Sequence, residues 1–191
     1  MKFSGIFSAF RLTVVCLVFF SVLYPLAITG IAQFAPAKGK GETVEVNGKV
    51  VGFQKVGQLF TDSIYFSGRP SAVNYNAAGS GGSNKGPSNP DYLKEVQARV
   101  DAFLMQHPYL QKKDVPAELM TASGSGLDPD ISPEAALVQV KRIAEVRKIS
   151  VEKVKDLVEK NIQEPLLGMF GTEKVNVLKL NIELDQLAGT R

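Results

Sequence analysis

Val175-Asn-Val-Leu-Lys-Leu-Asn-Ile-Glu-Leu184, VNVLKLNIEL, is the stretch on which the fold class turns. Leu178, Leu180, Ile182 and Leu184 alternate with Lys179, Asn181 and Glu183. Successive side chains of a strand point to opposite faces, so residues 175–184 read as a strand with one buried face. Far upstream, ETVEVNGKVVGF at 42–53 reads as a hairpin. Val44 and Val46 alternate with polar residues, Asn47-Gly48 supplies the two positive-φ positions of a type I′ turn, and Val50 and Val51 begin the return. Strands at both ends with helices between them make the fold class α+β.

The helices announce themselves by their caps. In Asn89-Pro90-Asp91, Asn caps, Pro takes the first helical position and Asp complements the dipole. Leu93, Val96, Val100, Phe103 and Leu104 form the apolar stripe that follows, and Pro108 closes it. Ser132-Pro133-Glu134 opens a second helix over 133–147, with Leu137, Val140, Ile143 and Ala144 on one face. Ser150 caps a third, carrying Val151, Val154, Leu157, Val158 and Ile162, which Pro165 ends. Residues 61–90, rich in Gly, Ser, Asn and Pro, are a long loop that Tyr65, Phe66 and Tyr75 pin to the core.

Leu12 to Ala37, LTVVCLVFFSVLYPLAITGIAQFAPA, contains no charged residue. It exceeds the ~20 apolar residues that span a bilayer. Pro25 fits a membrane helix better than a soluble one, where neighbouring helices can pack the kink. A cleaved signal peptide is the competing reading, through Ala35-Pro-Ala37, but the apolar run is too long for it. Lys2 and Arg11 precede the span and Lys38, Lys40 and Lys49 follow it, so the charge count hardly orients it. A short basic tail before a first apolar segment favours a cytoplasmic N-terminus. The expected organisation is a cytoplasmic tail at 1–11, a transmembrane helix at 12–34, a linker at 35–41 and one extracytoplasmic mixed α/β domain at 42–191.

Charge and composition exclude several classes. A net charge of +3 over 191 residues, without a run of like charges, argues against nucleic acid. The one cysteine, Cys16, lies in the span, so no cysteine metal site is expected in the domain. His107, the only histidine, lies at a helix end and reads as a surface or capping residue. Alone it cannot supply a histidine-rich metal site or a Ser-His-Asp triad.

Two small-residue loops invite chemistry. Gly79–Asn89, GSGGSNKGPSN, matches neither G-x-x-x-x-G-K-[ST] nor G-x-G-x-x-G. TASGSGLDPDISPEA at 121–135 contains GSG, but a nucleophile elbow is G-x-S-x-G, Ser125 has Ser123 and Leu127 where its glycines should be, and no histidine is at hand as a base. Asp128, Asp130 and Glu134 could approach a hard cation, but not at calcium-loop spacing. Turn and cap chemistry accounts for 128–136, whereas Thr121–Leu127 calls for close backbone approach to something else.

YFSGRPSA (65–72), SGGSN…SNP (80–90), VPAELMTASGSGLDPDISPEAA (115–136), QVKRIAEVR (139–147) and VNVLKLNIELD (175–185) occur in this order. The chain thereby resembles the KdpC family, accessory chains of the Kdp potassium-transporting ATPases, along its whole length, including Tyr24-Pro-Leu26. Lys85 and Phe53-Gln54-Lys55 depart from the family pattern. The resemblance implies a non-catalytic, single-pass component of a bacterial inner-membrane potassium importer. Its partners would be the potassium-channel-like subunit, the ATP-hydrolysing subunit and a further small subunit of the Kdp complex, with membrane lipid around the span. The family is described as a catalytic chaperone that raises the ATP affinity of the ATP-hydrolysing subunit, so ATP is the one cofactor implied, through the complex. Ser80, Gly81, Gly82 and Ser83 are then the nucleotide candidates, and Arg69, Asn84, Ser123, Ser125 and Asp128 the candidates for structural or partner contact. The alternative is a membrane-anchored nucleotide-binding or enzymatic domain using 79–89 and 121–132.

Overall fold

The computed structural model describes residues 3–187 and 189, in two units that divide after Glu42. Lys2, assigned to the basic tail, lies outside the described residues.

In the first unit, helix α1 (Phe3–Val18) passes through a π-helical turn (Phe19–Leu23) into α2 (Tyr24–Ala32). Residues Gly5–Ala32 form one helix long and apolar enough to cross a membrane. Helix begins at Phe3, well before the expected Leu12. Pro25 lacks an N–H, and its ring would strike the carbonyl four residues back in a regular α-helix. The wider π turn immediately before it relieves that clash, and such turns are a recognised cause of bends. Thr29 Oγ1 donates to the Pro25 carbonyl at 2.7 Å, so this hydroxyl is satisfied within the helix.

The second unit begins with the hairpin, β1 (Thr43–Val46) and β2 (Lys49–Phe53), paired antiparallel. Asn47 at φ 51 and Gly48 at φ 74 form the primed turn. The register shifts between Val44 and Glu45, a bulge that leaves Val51 as the extra residue. Helix α3 (Pro90–Gln106) starts as expected, with Asn89 Oδ1 accepting from the amides of Asp91 and Tyr92.

A three-stranded sheet in the order β3 (Asp130–Ile131), β5 (Lys174–Asn176), β4 (Ile162–Gln163) is antiparallel throughout. Helices α4 (Pro133–Leu137), α5 (Val140–Arg147), α6 (Val151–Lys160) and α7 (Val177–Leu187) complete the domain. The core joins Phe66, Val100, Phe103, Ile131, Ile143, Val154, Val158, Val175, Leu180 and Leu184. Mixed helix and sheet behind one N-terminal apolar helix is the class the sequence indicated.

The stretch that decided the class is itself mostly helix. Only Lys174–Asn176 is strand; Val177–Leu187 is α7. Asn176 Oδ1 accepts from the Lys179 amide, the bond of an N-cap, and turns the chain from strand to helix. Val177, Leu180, Asn181 and Leu184 then share a buried face at three- and four-residue spacing. Alternation placed Asn181 in solvent, yet it is buried, while Ile182 is only half-buried.

Three helix readings also need correction. The segment 133–147 breaks into α4 and α5 at Val138-Gln139, where Gln139 N donates to Ala136 O in a tighter turn. Leu137 is consequently exposed, and Ala135 and Ala136 face the core. Helix α6 ends at Lys160, well before Pro165, so Ile162 belongs to β4, and Val151 is exposed. Leu93 of the α3 stripe is exposed as well.

Candidate functional site

The motif loops form one interlocked structure. Ser123 N donates to Pro70 O at 3.0 Å, and Ser71 Oγ donates to Gly126 O at 2.6 Å. Ser71 Oγ also accepts from the amides of Val73 and Tyr75. Gly81 N and Ser80 Oγ both donate to Ser125 O, at 2.8 and 3.0 Å. Within the second loop, Ser123 Oγ accepts from Gly126 N and Ser125 Oγ from Leu127 N. The partner that the small residues of Thr121–Leu127 approach is therefore the loop at 70–82.

Two glycines where these segments meet, Gly126 and Gly57, stand where a side chain would not fit. Gly126, at φ +67, would place a Cβ 2.6 Å from Val73 Cγ2 and 2.8 Å from Gly81 O. A Cβ on Gly57 would lie 2.4 Å from Asp128 O, whose preceding residue accepts from Gly57 N at 2.7 Å. Gly82 packs against the backbone of Gly124. Asn84 stands apart, exposed at φ 52.

Two of the three acidic residues are already paired with cations of the chain. Asp128 pairs with Arg69 at 3.1 Å. Asp130 accepts from Lys174 Nζ at 2.5 Å and from Asn176 Nδ2 at 3.1 Å. Asp128 and Asp130 are thus half-buried and paired, and of the three Glu134 alone is exposed, in the first turn of α4. Ser132 Oγ caps that helix through Ala135 N at 3.1 Å. Among the described residues no group of three or more His, Cys, Asp or Glu is arranged to hold a metal ion.

Behind the loops lies a polar clamp that sequence reasoning missed. Arg142, 5% exposed, donates from Nη1 to Ser63 O, from Nη2 to Tyr65 O at 3.1 Å and to Gln139 Oε1 at 2.9 Å, and from Nε to His107 Nε2 at 2.9 Å. Gln139 brackets Ser67, accepting from its amide and hydroxyl and donating to its carbonyl. Asn181 does the same for the backbone of Phe66, at 2.8 and 3.0 Å. Arg147 donates to Ile64 O, lies over the Tyr65 ring and pairs with Asp185 at 2.7 Å. Loop 63–67, half-buried around the fully buried Phe66, is thereby held by its backbone groups from α5, α7 and the Gln139 that precedes α5. The spacing Gln139–Arg142–Ile143 was the signal available, because these residues share a helix face with Ala135 and Ala136.

His107 is the C-cap of α3, as the helix-end position suggested, but it is 1% exposed rather than on the surface. An arginine can only donate, so His107 Nε2 carries the lone pair and Nδ1 carries the proton, donated to Phe103 O at 2.8 Å. Burial pushes its pKa down to about 4; the bond to Phe103 opposes the shift, and the nearby Arg142 charge adds to it.

A cleft of about 390 Å³ opens between α3 and the clamped loop, lined among others by Phe60, Tyr65, Arg69, Tyr75, Arg99 and Arg142. Its cations are engaged: Arg142 in the clamp, Arg69 with Asp128, and Arg99 with Met120 O at 3.1 Å and Glu95 at 3.7 Å. Among its described lining residues there is no histidine to serve as a base, and Ser67 and Ser71 spend their hydroxyls on Gln139 and Gly126.

Comparison with known proteins places this architecture. The family model described as KdpC, the c chain of K+-transporting ATPase, matches residues 6–186. A "Potassium-transporting ATPase KdpC subunit" of Flavobacterium psychrophilum is 67% identical over 96% of this chain and 98% of its own. The Flavobacterium johnsoniae relative is 62% identical over the same shares. The one from Caldanaerobacter subterraneus subsp. tengcongensis is 47% identical over 91% of each.

Proposed function

The chain belongs to the KdpC family, the c chain of K+-transporting ATPases, and we propose that it acts in such a complex as an accessory component without a reaction centre of its own. The observation that carries this reading is the mutual engagement of the two motif loops. The Ser80 hydroxyl and Gly81 amide, which a phosphate would need, bind Ser125 O instead. A domain whose loops are satisfied internally and clamped from behind is suited to presenting a fixed surface to neighbours. The single helix anchors it in the bacterial inner membrane, N-terminus in the cytoplasm and domain outside. Its partners are the channel-like, ATP-hydrolysing and small subunits of the pump. Any rise in the ATP affinity of the hydrolysing subunit then follows from assembly and not from nucleotide held at 80–83.

The test is a magnesium-ATP titration of the purified full-length chain, followed by NMR of the serine and glycine amides at 80–83 and 121–128. No shift is expected, and Ser125→Ala should leave ATP hydrolysis by the assembled pump within about twofold, since no base activates that hydroxyl. Saturable shifts at Ser80–Ser83 would replace this reading with a nucleotide-binding one.

A further inference from the structure

The turn between β4 and β5 leaves four large apolar side chains outside the core. Leu166, Leu167, Met169 and Phe170 are 70%, 77%, 74% and 62% exposed. The segment is not loose. Leu166 and Phe170 exchange amide–carbonyl bonds at 3.0 Å in both directions, and Gly168 N donates to Pro165 O at 2.9 Å. Both arms continue into paired strands, and β5 is the central strand of its sheet. Leu167 sits at φ 56, a left-handed conformation unfavourable for a residue with a Cβ, and its side chain is left 77% exposed. At those exposures the four side chains present roughly 500 Å², the scale of the largest apolar patch on a typical monomer, and such patches often mark interaction sites.

We propose that this apolar finger is a docking element that seats in an apolar groove on another protein subunit of the pump. The proposal rests on the accessory-component reading above. Charge selects a protein groove over lipid. Between Lys160 and Lys174 the only charged residues are Glu164 and Glu173, exposed, one on each arm. The Lys174 ammonium is held by Asp130. Segments that settle into a bilayer interface set Lys or Arg beside their apolar residues, and anionic headgroups attract basic segments. The finger has no Lys or Arg, and its carboxylates would be repelled. Charge also disfavours a second copy. Pairing two fingers would crowd four carboxylates, Glu164 and Glu173 from each copy. A groove with an apolar floor and basic or amide groups at its rim complements both the tip and its flanks.

A photoreactive residue placed at Leu167, and separately at Phe170, in the full chain within the complex in native membranes should cross-link to another protein subunit. Leu167→Ser with Phe170→Ser should lower co-purification with the pump at least tenfold while the unfolding midpoint of the isolated chain stays unchanged. Cross-links to lipid alone, to a second copy alone, or to nothing would overturn the proposal, as would undiminished co-purification of the double variant. If the unaltered chain fails to co-purify, the accessory-component reading falls, and the finger proposal with it. If it co-purifies and the finger variants behave like it, only the finger proposal falls.

Discussion

Arg142 is a buried guanidinium whose hydrogen-bond acceptors are two loop carbonyls, an amide oxygen and a neutral imidazole, with no carboxylate among them. Desolvation lowers its pKa from the usual arginine value, yet so high a starting point leaves it charged. The arrangement therefore requires His107 to stay neutral. Protonating Nε2 would replace an accepted hydrogen bond with two facing cations. The sign of the resulting pH dependence follows. His107 in the unfolded chain takes up a proton near pH 6.5, whereas in the folded chain it does so only near 4. Between those values the unfolded state binds more protons, so stability falls as pH drops from 6.5 toward 4. Acidification from pH 7 to 4.5 is expected to remove about 2 kcal/mol through this residue, by the linkage of proton binding to folding. Denaturant unfolding of the purified chain at both pH values, against His107→Gln, isolates the effect, because other groups contribute alike to both proteins. Equal pH slopes in the two would show that His107 takes its proton as readily folded as unfolded.

At the scale of the element, α7 is where local pattern and tertiary demand part. VNVLKLNIEL satisfies both a two-residue and a 3.6-residue period, so its apolar positions alone do not choose. Two asparagines choose. Asn176 caps the helix, and Asn181 reaches loop 63–67 only if the chain is helical from Val177. The readings differ in a measurable way. In a strand Asn181 would face solvent, and Asn181→Leu would be nearly neutral. In the helix the substitution strands the Phe66 amide and carbonyl in the core, each unsatisfied group costing about 1–3 kcal/mol. A loss of about 3 kcal/mol in denaturant unfolding is therefore expected for Asn181→Leu, and a change under about 0.5 kcal/mol would contradict the helical clamp.

At the scale of the whole molecule, the chain unites an anchor and a domain, and the anchor carries more information than anchoring needs. Any ~20 apolar residues would hold a chain in a bilayer. This span adds Ser21, Pro25, Thr29, Gly30 and a π turn. In lipid, helices gain no specificity from hydrophobicity, and small or polar positions let them approach and interlock. Replacing Gly5–Ala32 by a leucine-rich helix of equal length should keep the chain in the membrane and reduce its co-purification with the pump severalfold. Full co-purification of the replaced chain would leave the domain alone responsible for assembly.

By itself the sequence determined the features that depend on a few neighbouring residues. The apolar span, the Asn47-Gly48 hairpin and the helix starts at Asn89, Ser132 and Ser150 are all local, because caps, turns and hydropathy act within one turn or one bilayer thickness. Its ordered motifs also carried the family. Only the tertiary structure decided which groups meet across long separations. It paired Gly81 with Ser125, brought Arg142 to the carbonyls of Ser63 and Tyr65, and buried His107. It made a helix of a stretch whose alternation is equally a strand's. The physical reason is that backbone groups withdrawn from water must find partners, and the side chains that hold the carbonyls of 63–67 and the amides of Phe66 and Ser67 lie more than seventy residues away in the chain.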